Sequence, residues 1–271
     1  MGSVADVASP PCGPLGYGRD IAADDPATTD VAANLAAVRE RIAAAARAAG
    51  RDPSEVRLVA VTKTVDDERI RAAVAAGCRS LGENKVQEAR DKAQRLADLD
   101  VSWSIIGHLQ TNKAKYVAEF ADEFQALDSL RVAEALDRRL QALGRGLDVF
   151  VQVNTSAEES KFGLPPDDVA AFIGELPAFS ALRVRGLMTL AEFSSDRERV
   201  RRCFVLLRSL RDRLRDDTPA GVSLDELSMG MSGDFELAIA EGATVVRVGT
   251  AIFGQRPTTD AHYWPGSAPT A

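Results

Sequence analysis

The stretch VRLVAVTKTVDDERIRAAVAAGCRSL, residues 56–81, decides the fold. Residues 56–61 are a short β-branched run that stops at Thr62-Lys63-Thr64. The pattern then changes to a helix over 66–76, opened by Asp66 and Asp67 and stopped by Gly77. Residues 78–81 read as a second short strand. A strand, a helix and a strand in succession require a parallel pair joined by a crossover helix.

Outward from this unit the alternation repeats. Upstream, 34–49 is an alanine-rich helix with Leu35, Val38 and Ile42 on one face, stopped by Gly50. Downstream, a polar helix over 85–97 leads to a strand at 103–106, and a helix over 111–119 leads to a strand at 124–127. The helix Leu130–Leu143 precedes a strand at 148–153, and the helix 166–175 precedes one at 184–188. An arginine-rich helix over 196–215, a strand at 224–227, a helix over 234–240 and the strand Val245–Val248 complete the series. Eight strands, each followed by a helix except the last, fit a single (β/α)8 TIM barrel, whose usual size is about 250 residues. A doubly wound open sheet is the alternative, but no Gly-x-Gly-x-x-Gly follows the first strand. Residues 1–30, rich in Gly, Pro, Ala, Ser and Asp, read as a disordered extension; 31–256 read as the barrel, and 257–271 as a tail. No sequence is left over for a second β-domain.

Composition narrows the function. The 33 basic and 40 acidic side chains leave a formal charge of −7, which argues against a general nucleic-acid or anionic-membrane surface. No apolar run approaches the roughly 18–20 residues of a spanning helix, and the N-terminus lacks a signal-peptide pattern. Cys12, Cys78 and Cys203 form neither a disulfide framework nor a metal site, so the expected compartment is the cytoplasm. Only six of the 33 basic residues are lysines (Lys63, Lys85, Lys92, Lys113, Lys115, Lys161). A lysine in a special position here therefore points to chemistry that arginine does not perform.

In a barrel of this type functional residues gather at the C-terminal ends of the strands. The first strand ends in Lys63, which follows an apolar run. Desolvation lowers a lysine pKa, and a neutral amine forms a Schiff base; a lysine snorkelling at the rim is the alternative. The loops after strands seven and eight, Ser228 to Gly233 and Gly249-Thr250, combine glycines, hydroxyls and a helix start, which suits a phosphate. Read alone, Ser232-Gly233-Asp234 is equally turn and helix-cap chemistry. A Schiff-base lysine opposite a phosphate cradle describes a pyridoxal 5′-phosphate site. Arg247 would face the pyridine nitrogen and keep it unprotonated, or would make an ordinary rim ion pair.

At these residues the chain resembles the YggS/PROSC family of pyridoxal phosphate homeostasis proteins, whose barrel is similar to the alanine racemase N-terminal domain (pyridoxal-phosphate fold type III). The matching segments are LVAVTKT (58–64), GENKVQEA (82–89), WSIIGHLQTNKAK (103–115), VQVNTSAEESKFGL (151–164), RGLMTL (185–190) and LSMGMSGDFELAIAEGATVVRVGTAIFG (227–254). The resemblance implies an internal aldimine on Lys63, Asn84 near the ring, Arg247 near the pyridine nitrogen, and Ser228, Gly249 and Thr250 around the phosphate. Met229, Gly230 and Ser232 belong to the same phosphate-side motif, and Lys113 and Lys161 take a secondary place at the entrance. His108 stands where family members vary and reads as a solvated loop residue. Thr62 departs from the more common Ser.

Amino-acid chemistry on this cofactor needs a second base opposite the lysine, and Tyr17, Tyr116 and Tyr263 all lie away from strand ends. The expected function is therefore a carrier that buffers pyridoxal 5′-phosphate and delivers it to apoenzymes, not an enzyme and without a metal; the resemblance implies a monomer. The alternatives are a low-activity racemase or decarboxylase using the same cofactor, or a cofactor-free aldolase-type barrel working through Lys63.

Overall fold

A computed structural model describes residues 30–158 and 161–255. Of the expected extension 1–30, residues 1–29 lie outside the described residues, as do residue 256 and the expected tail 257–271, and Cys12, Tyr17 and Tyr263 with them; Asp30 instead belongs to the barrel as the cap of its first helix. The helix α1 (Val31–Ala48) comes first and β1 (Arg57–Val61) follows. Then come α2 (Asp67–Ala75), β2 (Ser80–Glu83), α3 (Val86–Arg95) and β3 (Ser102–Ile105). The middle of the chain is α4 (Ala114–Phe120), β4 (Glu123–Leu127), α5 (Leu130–Leu143), β5 (Leu147–Gln152), α6 (Val169–Glu175) and β6 (Leu182–Met188). The last units are α7 (Arg197–Leu214), β7 (Val222–Ser228), α8 (Phe235–Ala240), β8 (Val245–Val248) and the short α9 (Thr250–Phe253).

All strand pairs are parallel and the sheet closes in sequence order. The closing seam runs from Arg57 opposite Val245 to Ala60 opposite Val248, which excludes the open doubly wound sheet. Helix α9 has only four residues, too few to cover the outside of the seam. That place is taken by α1, which packs against α2, α8 and α9. Its Val31, Leu35, Val38, Ile42 and Ala46 are buried, and Asn34 Nδ2 donates to Ile252 O at 3.2 Å. Asp30 caps the helix by accepting from Ala33 N, so it starts three residues before the position expected from Asn34.

Strand β2 begins at Ser80 rather than Cys78. Gly77 turns with φ +87°, and Gly77 N and Cys78 N still donate to Val74 O and Ala73 O. The chain is thus completing the end of α2 through residue 78, and the strand extends instead to Glu83. The helices expected over 111–119 and 166–175 each open with a 3₁₀ turn, Thr111–Lys113 and Pro166–Asp168. Cys78 and Cys203 are buried free thiols. Among the described residues no helix is long and apolar enough to cross a membrane.

Candidate functional site

Lys63 lies just past the end of β1, where the apolar run 58–61 lifts it to the barrel mouth, and only 8% of its surface is exposed. The arch around it is held from below. Lys92 of α3, itself 3% exposed, donates from Nζ to Thr62 O (2.6 Å), Glu83 Oε1 (2.7 Å) and Glu88 Oε1 (2.8 Å). Thr62 Oγ1 donates to Glu83 Oε1 at 2.7 Å, and Thr64 N donates to Glu88 Oε1 at 2.8 Å. Thr64 has φ +60°, unfavourable for a β-branched residue and worth about 1–3 kcal/mol of local strain. Bonds on both sides of Lys63 thus fix a strained turn that aims the lysine. Burial pushes the Glu83 carboxyl above its usual value although Lys92 pulls the other way.

The last two strands supply the opposite wall. Gly230 turns the chain after β7 with φ +96°, and a Cβ there would stand 2.7 Å from Ala238 Cβ. Its carbonyl accepts Arg247 N at 3.0 Å. Ser232 Oγ accepts Gly249 N at 3.2 Å, tying the β7 loop to the β8 end. Among the described residues, no hydrogen-bond acceptor meets the backbone N–H of Ser232 or Gly233. Lys63, Thr64, Gly249 and Thr250 line a common shallow, open cleft. Sequence positions 63 and 250 therefore meet because β1 and β8 are neighbours across the closing seam.

Two expected phosphate-side residues sit differently. Met229 is fully buried and its N–H is spent on Val245 O, so it packs beneath the loop. Ser228 is fully buried as well; its hydroxyl accepts from Arg247 Nη1 and donates to Gln125 Oε1 at 2.7 Å. That side chain points into the barrel, away from the loop where an anion would lie, because β7 alternates and position 228 falls on the inner face.

Arg247 is 2% exposed and also donates from Nη2 to Thr189 O at 2.7 Å. Both partners are neutral oxygens, and among the described residues no carboxylate lies in ion-pair contact with it, so it is not a rim ion pair. Burial lowers its pKa to about 10, partly offset by Asp234 and Glu123. Asn84, at the end of β2, carries a buried Oδ1 without a partner. Gly107 allows β3 to press against it, since a Cβ would meet Asn84 O at 2.3 Å.

The rim differs in part from expectation. His108 is exposed but stacks on Phe162 at 3.9 Å and stands 3.7 Å from Asp128, so it is engaged rather than merely solvated. Lys161 Nζ donates to Ala191 O at 3.0 Å and pairs with Glu158. Lys113 lies 5.5 Å from the centre of the Tyr116 ring, which Arg90 and Lys115 also approach. Sequence reasoning passed over Glu83, Lys92, Gln125 and Glu123. Polar residues alternating with apolar ones in β4 (Glu123-Phe124-Gln125), and a scarce lysine four residues after Glu88, were the available signals.

A larger groove of about 360 Å³ opens at the other end of the barrel, lined by Arg39, Arg57 and Arg79 among others. Those arginines are spent on Ala76 O and Gly77 O, on Glu123, and on Val74 O and Cys78 O. The C-terminal ends of the strands, by contrast, carry a buried amine, a buried guanidinium and, among the described residues, N–H groups and an amide oxygen without partners; of these Lys63 lines the cleft with Gly249 and Thr250. These fit a ligand with an aldehyde, a phosphate and an accepting ring nitrogen. Among the described residues no cluster of His, Cys, Asp and Glu is arranged for a metal.

The family model of the alanine racemase N-terminal domain matches residues 33–257. A pyridoxal phosphate homeostasis protein of Pseudomonas aeruginosa is 45% identical over 226 residues, 83% of this chain and 96% of that protein. The protein of the same description from Escherichia coli K12 is 43% identical over 237 residues, covering 84% of this chain and 97% of its own length. The structure of PipY from Synechococcus elongatus with PLP bound superposes with a TM-score of 0.74 at 38% identity, covering 83% of this chain and 100% of that one.

Proposed function

Because this chain belongs to the alanine racemase N-terminal domain family and, within it, to the pyridoxal phosphate homeostasis proteins, we propose that it holds pyridoxal 5′-phosphate on Lys63 and serves as a carrier of the cofactor rather than as an amino-acid enzyme. The observation that carries this reading is the single cleft joining Lys63 to Gly249 and Thr250, with Arg247 buried nearby without a carboxylate partner. When bound, the cofactor would supply an aldehyde, and the Lys63 amine is the group that would hold it.

The chain's own residues do the rest. Thr62 and Thr64, pinned by Lys92 and Glu88, aim the lysine. The Ser232 and Gly233 N–H groups, Gly249 and Thr250 receive the phosphate, and Ser232 Oγ holds the two loops together. Arg247 would donate toward the ring nitrogen, which would keep that nitrogen unprotonated and the ring a weak electron sink. Asn84 Oδ1 lies at the ring side of the mouth. Tyr116 lies on α4 among Arg90, Lys113 and Lys115, partly buried against the core rather than at a strand end, so it is not the second base of this reading. An accessible cofactor face suits transfer to apoenzymes and excludes water poorly. A monomer working in the cytoplasm belongs to the same reading.

The test is the near-visible absorbance of purified protein with added pyridoxal phosphate, wild type beside Lys63→Ala. A Schiff-base band in the wild type alone, with no turnover on a racemase and decarboxylase panel, is the expected result. Turnover abolished by Lys63→Ala would make the protein an enzyme; a band in neither would remove the cofactor assignment.

A further inference from the structure

We propose that Gln125 and Glu123, buried inside the barrel below the mouth, are positioning residues that fix the charge and direction of Arg247 toward the bound cofactor's ring nitrogen. The inference rests on the reading that this site holds pyridoxal 5′-phosphate.

The hydrogen bonds run one way. A guanidinium has only donors, so the contact between Arg247 Nη1 and Ser228 Oγ obliges the serine to accept. Its own proton then goes to Gln125 Oε1, at 2.7 Å. That places the Gln125 amide nitrogen toward Glu123, where Nε2 donates to Oε1 at 2.6 Å. Flipping the amide would set its oxygen against a carboxylate and its nitrogen against the serine proton. The carboxylate therefore orients the amide, the amide orients the hydroxyl, and the hydroxyl orients the guanidinium. All four side chains are at least nine-tenths buried, where such bonds polarise one another.

Glu123 is itself anchored. Ser104 Oγ donates to its Oε1 at 2.7 Å and Arg57 Nη2 to its Oε2 at 2.6 Å. Of the carboxylates that act on Arg247, Asp234 has its Oδ1 turned to Met231 N at 2.5 Å. Glu123 is the one connected to Arg247 through hydrogen bonds. Nη1 is committed to Ser228 and Nη2 to Thr189 O, and among the described residues no acceptor meets Nε–H, which leaves N–H capacity for the ligand. A polar column through the barrel interior thus sets a cation at the mouth.

The experiment titrates the near-visible band of cofactor-loaded protein against pH and measures cofactor affinity from the same band. Glu123→Gln, Gln125→Leu and Ser228→Ala interrupt the column at three links. Glu226→Gln is the control, because Glu226 touches Arg57 at 3.4 Å but makes no bond to the column. Each interrupting variant is expected to move the pH midpoint by about one unit and to weaken affinity roughly tenfold, while Glu226→Gln stays within about twofold of wild type. Ser228→Ala, the smallest change, decides the matter should the other two fail to fold. Wild-type midpoint and affinity in the folded variants, or an equal shift in Glu226→Gln, would overturn the proposal while the Lys63-dependent band stands. Absence of that band in the wild type overturns the underlying reading instead.

Discussion

A lysine buried beside two glutamates offsets charges that burial alone would make costly. Lys92 is bonded to Thr62 O, Glu83 and Glu88, and Lys92→Met would leave two carboxylates without their cation. At neutral pH this variant is expected to lose about 3–5 kcal/mol of stability, measured by urea denaturation. Its pH dependence follows from Glu83, whose carboxyl burial already holds above the ordinary 4.5. A carboxyl raised in the folded state contributes stability that is present below its unfolded value and lost as pH rises through its folded value. Without Lys92 that folded value rises further, so the deficit of Lys92→Met shrinks as the pH is lowered and Glu83 takes up a proton. A deficit unchanged between about pH 7 and pH 5 would show that Glu83 is not the charge left stranded. Cofactor affinity falls in the same variant, because the 62–64 arch loses its anchor.

At the scale of elements, α1 does the work that α9 is too short to do. Leu35 is completely buried in the layer against α8 and α9, so Leu35→Ala should cost about 2–5 kcal/mol, read as a lower urea midpoint. A cost under about 0.5 kcal/mol would mean that the helix merely rests on the barrel. Helices α2 and α3 are joined differently, by exposed ion pairs. Arg95 holds Asp67 through two bonds of 2.6 and 2.9 Å, and the Arg95 guanidinium keeps the Asp67 carboxyl below the ordinary 3.8. A lowered carboxyl contributes stability above its unfolded value and loses it as pH falls through its folded value. The small difference in melting temperature between wild type and Asp67→Asn should therefore vanish below pH 3.8 and also at high salt. A difference that persists in acid would locate the effect in the α2 N-terminus rather than in the pair. These elements show how far the sequence could be read. Strand ends marked by Lys63, Gly249 and Thr250 stood out because an apolar run changes to polar chemistry at one point. The inner column did not, because Gln125 and Ser228 are 103 residues apart and a serine hydroxyl serves an anion or an arginine equally well on paper. Nor did the service of α1 as the outer layer of the seam, which only the closed ring reveals.

For the whole molecule, the decisive feature is where the site lies on the ring. Lys63 follows β1 and Gly249-Thr250 follow β8, the first and last strands, which pair along Arg57–Ala60 and Val245–Val248. A ligand bonded to Lys63 and held by the β8 loop bridges the seam where the barrel closes, so binding and closure are linked. With free cofactor at one hundred times its Kd, linkage supplies about 2.7 kcal/mol, and the melting temperature should rise by roughly 5–10 °C for a chain of this size. Lys63→Ala should lose most of that rise, measured against its own melting temperature without cofactor. Hydrogen exchange locates the effect. Amides of β1 and β8 should gain more protection on loading than those of β4 and β5, which lie across the ring. Equal protection everywhere would mean that the cofactor stabilises the barrel without bridging its seam. Protection confined to the β7 loop would mean that the phosphate binds while Lys63 stays uncommitted.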